Sequence, residues 1–123
     1  MKKTKMLKKN YEFKKVLTKG NYYSGKHLEA FIIKNNLGIN LLGLAISVKI
    51  AKAVKRNKIK RLIRENYKNV EESIKIGYSI IFLWKKKANI EDATFENIKN
   101  DLNIIIDKAK IKKENIWKKY LLV

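Results

Sequence analysis

The chain contains no cysteine and no proline, and its one histidine is His27. The missing cysteines exclude disulfides and thiolate chemistry, and a single histidine excludes a zinc site of the usual Cys/His type. Carboxylates are also scarce, with 11 Asp and Glu against 30 Lys and Arg. These acids lack the spacing of metal ligands, and His27 has no nucleophile or orienting acid in the pattern. We therefore assign no catalytic residue and no metal ligand to the chain.

Long apolar runs are missing as well. No stretch approaches the roughly 20 apolar residues of a transmembrane helix, and no apolar signal-peptide core follows the basic segment MKKTKMLKKNYEF. We therefore predict a cytoplasmic protein that does not span a membrane. The net charge of +19 opposes a compact fold through self-repulsion. It predicts a polyanionic partner, for which nucleic acid is the first candidate and an anionic membrane surface the second.

The length of 123 residues fits one domain, and a hydrophobic content of 46% is sufficient for a folded core. We find no internal repeat, and the absence of proline removes the usual signal of a domain boundary. The prediction is a single domain over residues 1–123, in which residues 1–8 form a flexible basic arm.

The hydrophobic pattern predicts an α+β fold, a single-domain α-β sandwich with the element order α-β-β-β-α-β-α. Asn10 is a candidate helix cap, Gly20 a helix stop, and Thr94 the start of the last long helix. The expected elements are helices over residues 10–19, 53–72 and 94–109, strands over 22–24, 28–34, 41–48 and 78–84, and one or two helical turns over 114–122.

The predicted strand over residues 41–48 has one bulky face and one small face. Because side chains alternate along a strand, Gly43, Ala45 and Ser47 share the small face. This face is either a surface on which a helix packs or the floor of an open groove.

The segment AVKRNKIKRLIREN, residues 53–66, combines many basic residues with an apolar pattern. On a helix, Ile59, Leu62 and Ile63 share one side with Asn66, and we expect this side to pack on the sheet. The opposite side has almost no compensating acid and suits the phosphates of a nucleic acid. A solvated face that is basic because the whole chain is basic is the alternative. The polar side holds Asn57, Lys60, Arg61, Arg64 and Lys68.

The placement of arginine favours a binding surface over a solvated one. Arg56, Arg61 and Arg64 are the only arginines in this lysine-rich chain. A guanidinium group offers a planar fork that binds a phosphate through two parallel hydrogen bonds, which lysine cannot do. Asn57 adds a neutral donor and acceptor suited to a ribose or a base edge.

The longer segment SVKIAKAVKRNKIKRLIRENY resembles the signature of the bacterial ribonuclease P protein subunit, which is often called the RNR motif. Arg56, Asn57 and Lys58 match the motif itself. Weaker similarity, in the same order along the chain, is found in LKKNYEFKKVLTKG, LLGLAIS and ATFENIKNDL. Together these segments cover most of the chain.

The resemblance implies a fold and an activity. The fold is a cleft-bearing α-β sandwich with a left-handed βαβ crossover, which departs from the usual right-handed rule. The activity is endonucleolytic removal of the 5′ leader of precursor tRNA. The RNA subunit performs this chemistry with Mg²⁺, held mainly by the RNA and the substrate. The protein binds the RNA subunit and holds the leader.

The resemblance also implies two sets of binding residues. Phe13, Leu17 and Phe31 match positions that line the leader cleft, where unpaired bases stack on aromatic faces. A place in the core is the alternative for both phenylalanines. Among the departures from the family, Leu17 stands where an aromatic residue is frequent and Lys58 where arginine completes the motif. The implied contacts to the RNA subunit are Lys49, Lys52, Lys55, Arg56, Asn57, Lys58, Lys60, Arg61, Arg64 and Lys68.

Other functions fit parts of the pattern. A ribosomal protein or an RNA chaperone without linked cleavage has the same composition, and only the RNR segment and its flanks argue against it. A cationic membrane-active protein needs a free apolar helix face, whereas these apolar faces alternate with strands that need them for a core. A self-sufficient nuclease needs a carboxylate cluster or a histidine pair. Among the remaining aromatic residues, Tyr22, Tyr23 and Tyr78 are weaker stacking candidates, and Trp84 and Trp117 are expected to pack inside the fold.

Overall fold

The computed structural model describes residues 1–114 and confirms the predicted succession of helices and strands, with one additional strand at the start. The helical turns predicted over residues 114–122 fall outside the described residues except for Glu114, and so does Trp117. Short 3-10 turns span Glu71–Ser73 and Ile90–Asp92. The elements are β1 (Thr4–Met6), α1 (Asn10–Lys19), β2 (Asn21–Ser24), β3 (Leu28–Lys34), β4 (Asn40–Leu44), α2 (Ala53–Val70), β5 (Tyr78–Trp84) and α3 (Phe95–Ala109).

One mixed sheet with the strand order β1-β4-β5-β3-β2 forms the centre of the fold. β4 pairs in parallel with β1 and β5, whereas β3 pairs antiparallel with β5 and β2. Neighbouring parallel strands need a crossover connection, and α2 provides it between β4 and β5. These elements form the expected βαβ unit, and the left-handed sense of its crossover stays a prediction.

The flexible arm predicted over residues 1–8 is wrong for its second half. Thr4 begins β1, which pairs with β4. Leu7 is buried and donates its backbone N–H to the carbonyl of Leu42 at 2.8 Å. The hydroxyl groups of Thr4 and Tyr67 share a buried hydrogen bond of 2.8 Å. The many lysines gave this segment the pattern of a solvated arm. Its pairing with β4 was not visible in the pattern, because the partner residues are distant in sequence.

Several predicted boundaries also differ from the structure, and α2 ends at Val70, two residues before its predicted end. Asn10 is the first residue of α1, and the cap position belongs to Lys9, whose side chain makes no capping hydrogen bond. β4 ends at Leu44 and does not reach Val48, because the chain leaves the sheet there for the loop that leads to α2. The last long helix was predicted to start at Thr94; Thr94 is instead the cap of α3, and its hydroxyl accepts a backbone N–H from the first turn at 3.2 Å.

The two faces of the sheet are covered unequally. α2 and α3 pack on one face and enclose the main core, to which α2 contributes the buried Ile59, Leu62 and Ile63, as predicted. α1 packs on the other face, where the fully buried cluster consists of Leu7, Val16 and Ile81. The remaining apolar side chains of this second face are only partly buried.

A buried carboxylate joins α3 to the start of β3. Asp101 is 2% exposed, and its two oxygens accept the backbone N–H groups of Lys26, His27 and Leu28 at 3.0, 2.7 and 2.9 Å. Hydrogen bonds to a charged group are stronger than neutral ones, and these three N–H groups have little access to water. Asp101 therefore fixes the β2–β3 turn against α3.

We expect Asp101→Ala to lower the free energy of unfolding by roughly 3 kcal/mol or more, because three backbone donors lose a charged acceptor in a buried place. Chemical denaturation followed by circular dichroism measures the change. Asp107→Ala removes an exposed carboxylate from the same helix and should change stability by less than about 0.5 kcal/mol. Equal effects of the two substitutions would contradict the structural role assigned to Asp101.

Candidate nucleic-acid interface

The polar side of α2 faces solvent as the sequence predicted. We call Asn57, Lys60, Arg61, Arg64 and Lys68 the basic stripe. Asn57, Arg61 and Lys68 are exposed, and Lys60 and Arg64 are half-exposed. The one ion pair described within the stripe joins Arg61 to Glu65, with 3.9 Å between Nε and Oε1. An exposed pair at that distance contributes little, so most of the stripe's charge is available to a partner.

The N-terminus of α2 adds to this positive surface. Lys52 occupies the cap position without a side-chain hydrogen bond, and the first turn contains no acidic residue. The free N–H groups at a helix N-terminus carry a partial positive charge and bind anions such as phosphate. Lys49, Lys52, Lys55 and Lys58 are exposed around this end. The structure thus brings the predicted lysines and the basic stripe together on one helix and the loop before it.

Arg56 has a role that the sequence did not indicate. It is half-buried, and its Nη1 donates to the carbonyl oxygen of Ala51 at 2.8 Å. The loop before α2 is also held by Ser47, whose hydroxyl accepts the backbone N–H of Lys49 at 3.2 Å. One N–H group of the Arg56 guanidinium therefore stabilises the loop that carries Lys49.

Lys55 is neutralised by an acid that lies far away in the sequence. Its Nζ lies 2.7 Å from Oε1 of Glu91, which belongs to the 3-10 turn Ile90–Asp92. The hydrogen bond from Lys55, followed by its charge, holds the pKa of Glu91 below its usual range. Sequence reasoning found no role for Glu91, because helical spacing cannot reveal a partner on another element.

Aromatic side chains collect on the opposite face of the sheet. Phe13 and Leu17 on α1 and Phe31 on β3 are half-buried around the buried Ile81, and we call Phe13, Leu17 and Phe31 the aromatic face. The structure therefore separates these three residues from the basic stripe by the thickness of the sheet. Neither phenylalanine is fully buried in the core, and a half-exposed ring keeps a surface on which a base can stack.

The contacts around Gly43 show why one face of β4 has small residues. A Cβ atom built on Gly43 would lie 2.7 Å from Cε1 of Phe13 and 3.0 Å from Cδ1 of Leu7. Such a contact is too close, so only glycine lets Phe13 approach the sheet this far. Gly43 therefore belongs to a helix-packing surface. Ser47, which the prediction placed on the same face, is exposed in the loop beyond the strand.

The single histidine is enclosed by structural contacts. His27 is 6% exposed and stacks on Trp84, with ring centroids 5.6 Å apart. Its Nδ1 lies 3.3 Å from Asp101 and its Nε2 3.5 Å from Asp92. The packing role predicted for Trp84 is confirmed, since Trp84 is 2% exposed. His27 therefore packs between β5 and α3, directly before the start of β3.

Within residues 1–114, no helix combines the length and the apolar character needed to cross a bilayer.

Comparison with known proteins agrees with the RNR segment. The model of the Ribonuclease P family matches residues 1–110. The ribonuclease P protein component of Clostridioides difficile strain 630 is 36% identical over 110 residues, which is 89% of this chain and 95% of that protein. The component of Clostridium botulinum strain 657 is 39% identical, with 89% and 97% covered. These matches favour the ribonuclease P interpretation over a ribosomal protein or an RNA chaperone.

Solved structures of the same family have this fold. The RNase P protein of Staphylococcus aureus superposes with a TM-score of 0.75 at 33% identity, covering 88% of this chain and 97% of that one. The RNase P protein from Thermotoga maritima gives a TM-score of 0.73 at 25% identity, with 82% and 94% covered.

The pair between Lys55 and Glu91 generates a test of the surface. Glu91→Gln should strengthen binding of the partner RNA, because Lys55 no longer has to exchange a carboxylate for a phosphate. The salt dependence of binding should also steepen, by up to roughly 0.7–0.9 in the slope of log K against log salt. Filter binding over a series of salt concentrations measures both effects.

The matched control is Glu96→Gln, which makes the same charge change at an exposed position in the first turn of α3. A gain that Glu96→Gln reproduces would reflect net charge alone and would contradict a specific role for Lys55.

Proposed function

This chain belongs to the ribonuclease P protein family and acts in tRNA 5′ processing, and we propose that α2 binds the RNA subunit while the aromatic face holds the 5′ leader of precursor tRNA. The observation that carries the proposal is the basic stripe, which is solvent-facing and largely without acidic partners. Like charges one turn apart destabilise an isolated helix. RNA phosphates reverse that repulsion and release counterions.

The aromatic face supports the second half of the proposal. A leader is single-stranded, so its bases are free to stack on rings, and such stacking is sequence-tolerant. Phe13 and Phe31 keep part of their surface open on the sheet face that α1 covers incompletely. Mature tRNA has no leader, so this face gives the complex a means to prefer the precursor over the product.

We assign the chemical step to the RNA subunit. Among residues 1–114, no group of three or more His, Cys, Asp or Glu side chains lies together as metal ligands would. The described residues thus offer no cluster that would hold Mg²⁺ by itself, and the proposal places that ion mainly on the RNA and the substrate, whose phosphates are its usual ligands. The protein's part is to bind and orient the two RNAs. We place this work in the cytoplasm, in keeping with the sequence prediction.

Reversing charge in the basic stripe tests the RNA-subunit contact. Arg61→Glu/Arg64→Glu should weaken assembly with the RNA subunit by at least 10-fold at physiological salt, because phosphate contacts are lost and repulsion replaces them. The fold should survive, since both side chains point away from the core side of α2. Titration of labelled RNA subunit measures assembly, and circular dichroism measures the fold.

The control is Lys99→Glu/Lys110→Glu, which changes the net charge equally at two exposed positions at and beyond α3. Equal weakening by the two double variants would mean that net charge, and not the stripe, drives assembly. Wild-type binding by Arg61→Glu/Arg64→Glu would refute the assignment of α2 to the RNA subunit.

Truncating Phe13 tests the leader contact. In preassembled holoenzyme, Phe13→Ala should reduce affinity for precursor tRNA by roughly 1–3 kcal/mol, the contribution of one stacked base, and leave mature tRNA unaffected. The gap between the two substrates should therefore narrow, with little change in salt dependence. Equilibrium binding of precursor and mature tRNA, under conditions in which the precursor is not cleaved, measures the gap.

Phe95→Ala serves as the control, since Phe95 is an exposed phenylalanine on α3, on the opposite side of the sheet. An unchanged gap for Phe13→Ala, together with a lowered melting temperature, would show that Phe13 acts only as a packing residue.

A further inference from the structure

An additional aromatic side chain extends the aromatic face to the edge of the sheet. Tyr22 on β2 lies directly opposite Phe31 in the antiparallel ladder. Their ring centroids are 5.4 Å apart, and their planes are tilted by 58°. Phe31 is in turn paired with Ile81, and Ile81 with Gly43, against which Phe13 packs. The four paired residues form one continuous row across β2, β3, β5 and β4, roughly 14 Å wide at the usual strand spacing.

Tyr22 differs from the neighbouring tyrosine in what it contacts. Tyr23 points to the opposite face and packs against the main core, as the alternation of a strand requires. Tyr22 keeps 50% of its surface exposed although it touches Phe31. An exposed aromatic ring that is already seated against another ring is a stacking platform with one face free.

The ring of Tyr22 is also fixed in place. Its hydroxyl group donates a hydrogen bond to Glu29, which lies on the same face of β3 as Phe31. This hydrogen bond, with a smaller contribution from burial, raises the pKa of Tyr22, so the phenol stays protonated as the donor. A side chain held in one orientation before binding loses less conformational entropy when a ligand arrives. Glu29 thus acts on the ring as a positioning residue.

We propose that Tyr22 stacks on a base of the 5′ leader, one strand beyond the site at Phe31, and that it supplies the aromatic surface that Leu17 does not. The inference rests on the proposed function of the aromatic face. Leu17 contributes apolar area on α1 but has no π-face. Tyr22 lies just after the end of α1, at the outer end of the same row. The leader is therefore expected to run across the sheet from β4 towards β2.

The experiment uses preassembled holoenzyme and precursor tRNAs in which leader bases are removed one at a time as abasic nucleotides. With wild-type protein, each stacked base should reveal itself as a position where the abasic substitution weakens binding. With Tyr22→Ala, binding of the intact precursor should weaken about 10-fold. In this variant, one abasic position should no longer weaken binding. Once the ring of Tyr22 is removed, removing the base that stacks on it costs no further affinity.

Two variants separate stacking from packing. Tyr22→Phe keeps the ring but not the hydrogen bond to Glu29, and it should bind the precursor within about 3-fold of wild type. Phe95→Ala removes an exposed aromatic side chain on α3, on the opposite side of the sheet, and its abasic profile should match wild type. A purely structural role of Tyr22 would weaken binding at all abasic positions alike and would lower the melting temperature.

The outcomes distinguish this inference from the proposed function. A wild-type holoenzyme that binds precursor and mature tRNA equally, with no sensitive abasic position, would overturn the proposed function itself. A wild-type holoenzyme that shows sensitive positions, one of them coupled to Phe13 and none to Tyr22, would overturn only the role of Tyr22. If Tyr22→Ala and Phe13→Ala both removed the effect of the same abasic position, the expected path of the leader across the sheet would be wrong.

Discussion

The incomplete covering of the sheet by α1 determines most of what this protein presents to its surroundings. α1 is a single helix of ten residues, and most of the apolar side chains around it on this face are only partly buried. On the opposite face, α2 and α3 together bury a full core. One side of the sheet therefore supplies stability, and the other retains partly exposed aromatic rings that a fully covered sheet would hide.

The few carboxylates are distributed so that the basic stripe stays free. Asp101 is used entirely in joining α3 to the β2–β3 turn, and Glu29 holds the ring of Tyr22. Glu72 pairs with Lys3 at 2.9 Å near the start of the chain. In a protein of net charge +19, acids that bind elsewhere cannot neutralise the basic stripe. The same sparing use of acid that makes the free protein self-repelling keeps the side proposed to bind RNA available.

Local periodicity predicted which side of a single helix or strand is buried and which is exposed. The apolar and basic sides of α2, the buried β5 and the cap of α3 all follow from spacings within a single segment. The pattern could not reveal which distant segments meet. β1 beside β4, Arg56 on the carbonyl of Ala51 and Lys55 with Glu91 depend on the path of the chain between elements. The candidate positions at Phe13 and Phe31 came from family resemblance, because periodicity alone favours the core.

The pairing of β1 with β4 has a consequence for the order in which the fold is completed. Thr4 is synthesised well before its hydrogen-bond partner Tyr67, and bringing residues so distant in sequence together costs loop-closure entropy. With only three residues at the edge of the sheet, β1 is expected to be the first strand to open in native-state hydrogen exchange and the last to become protected during synthesis.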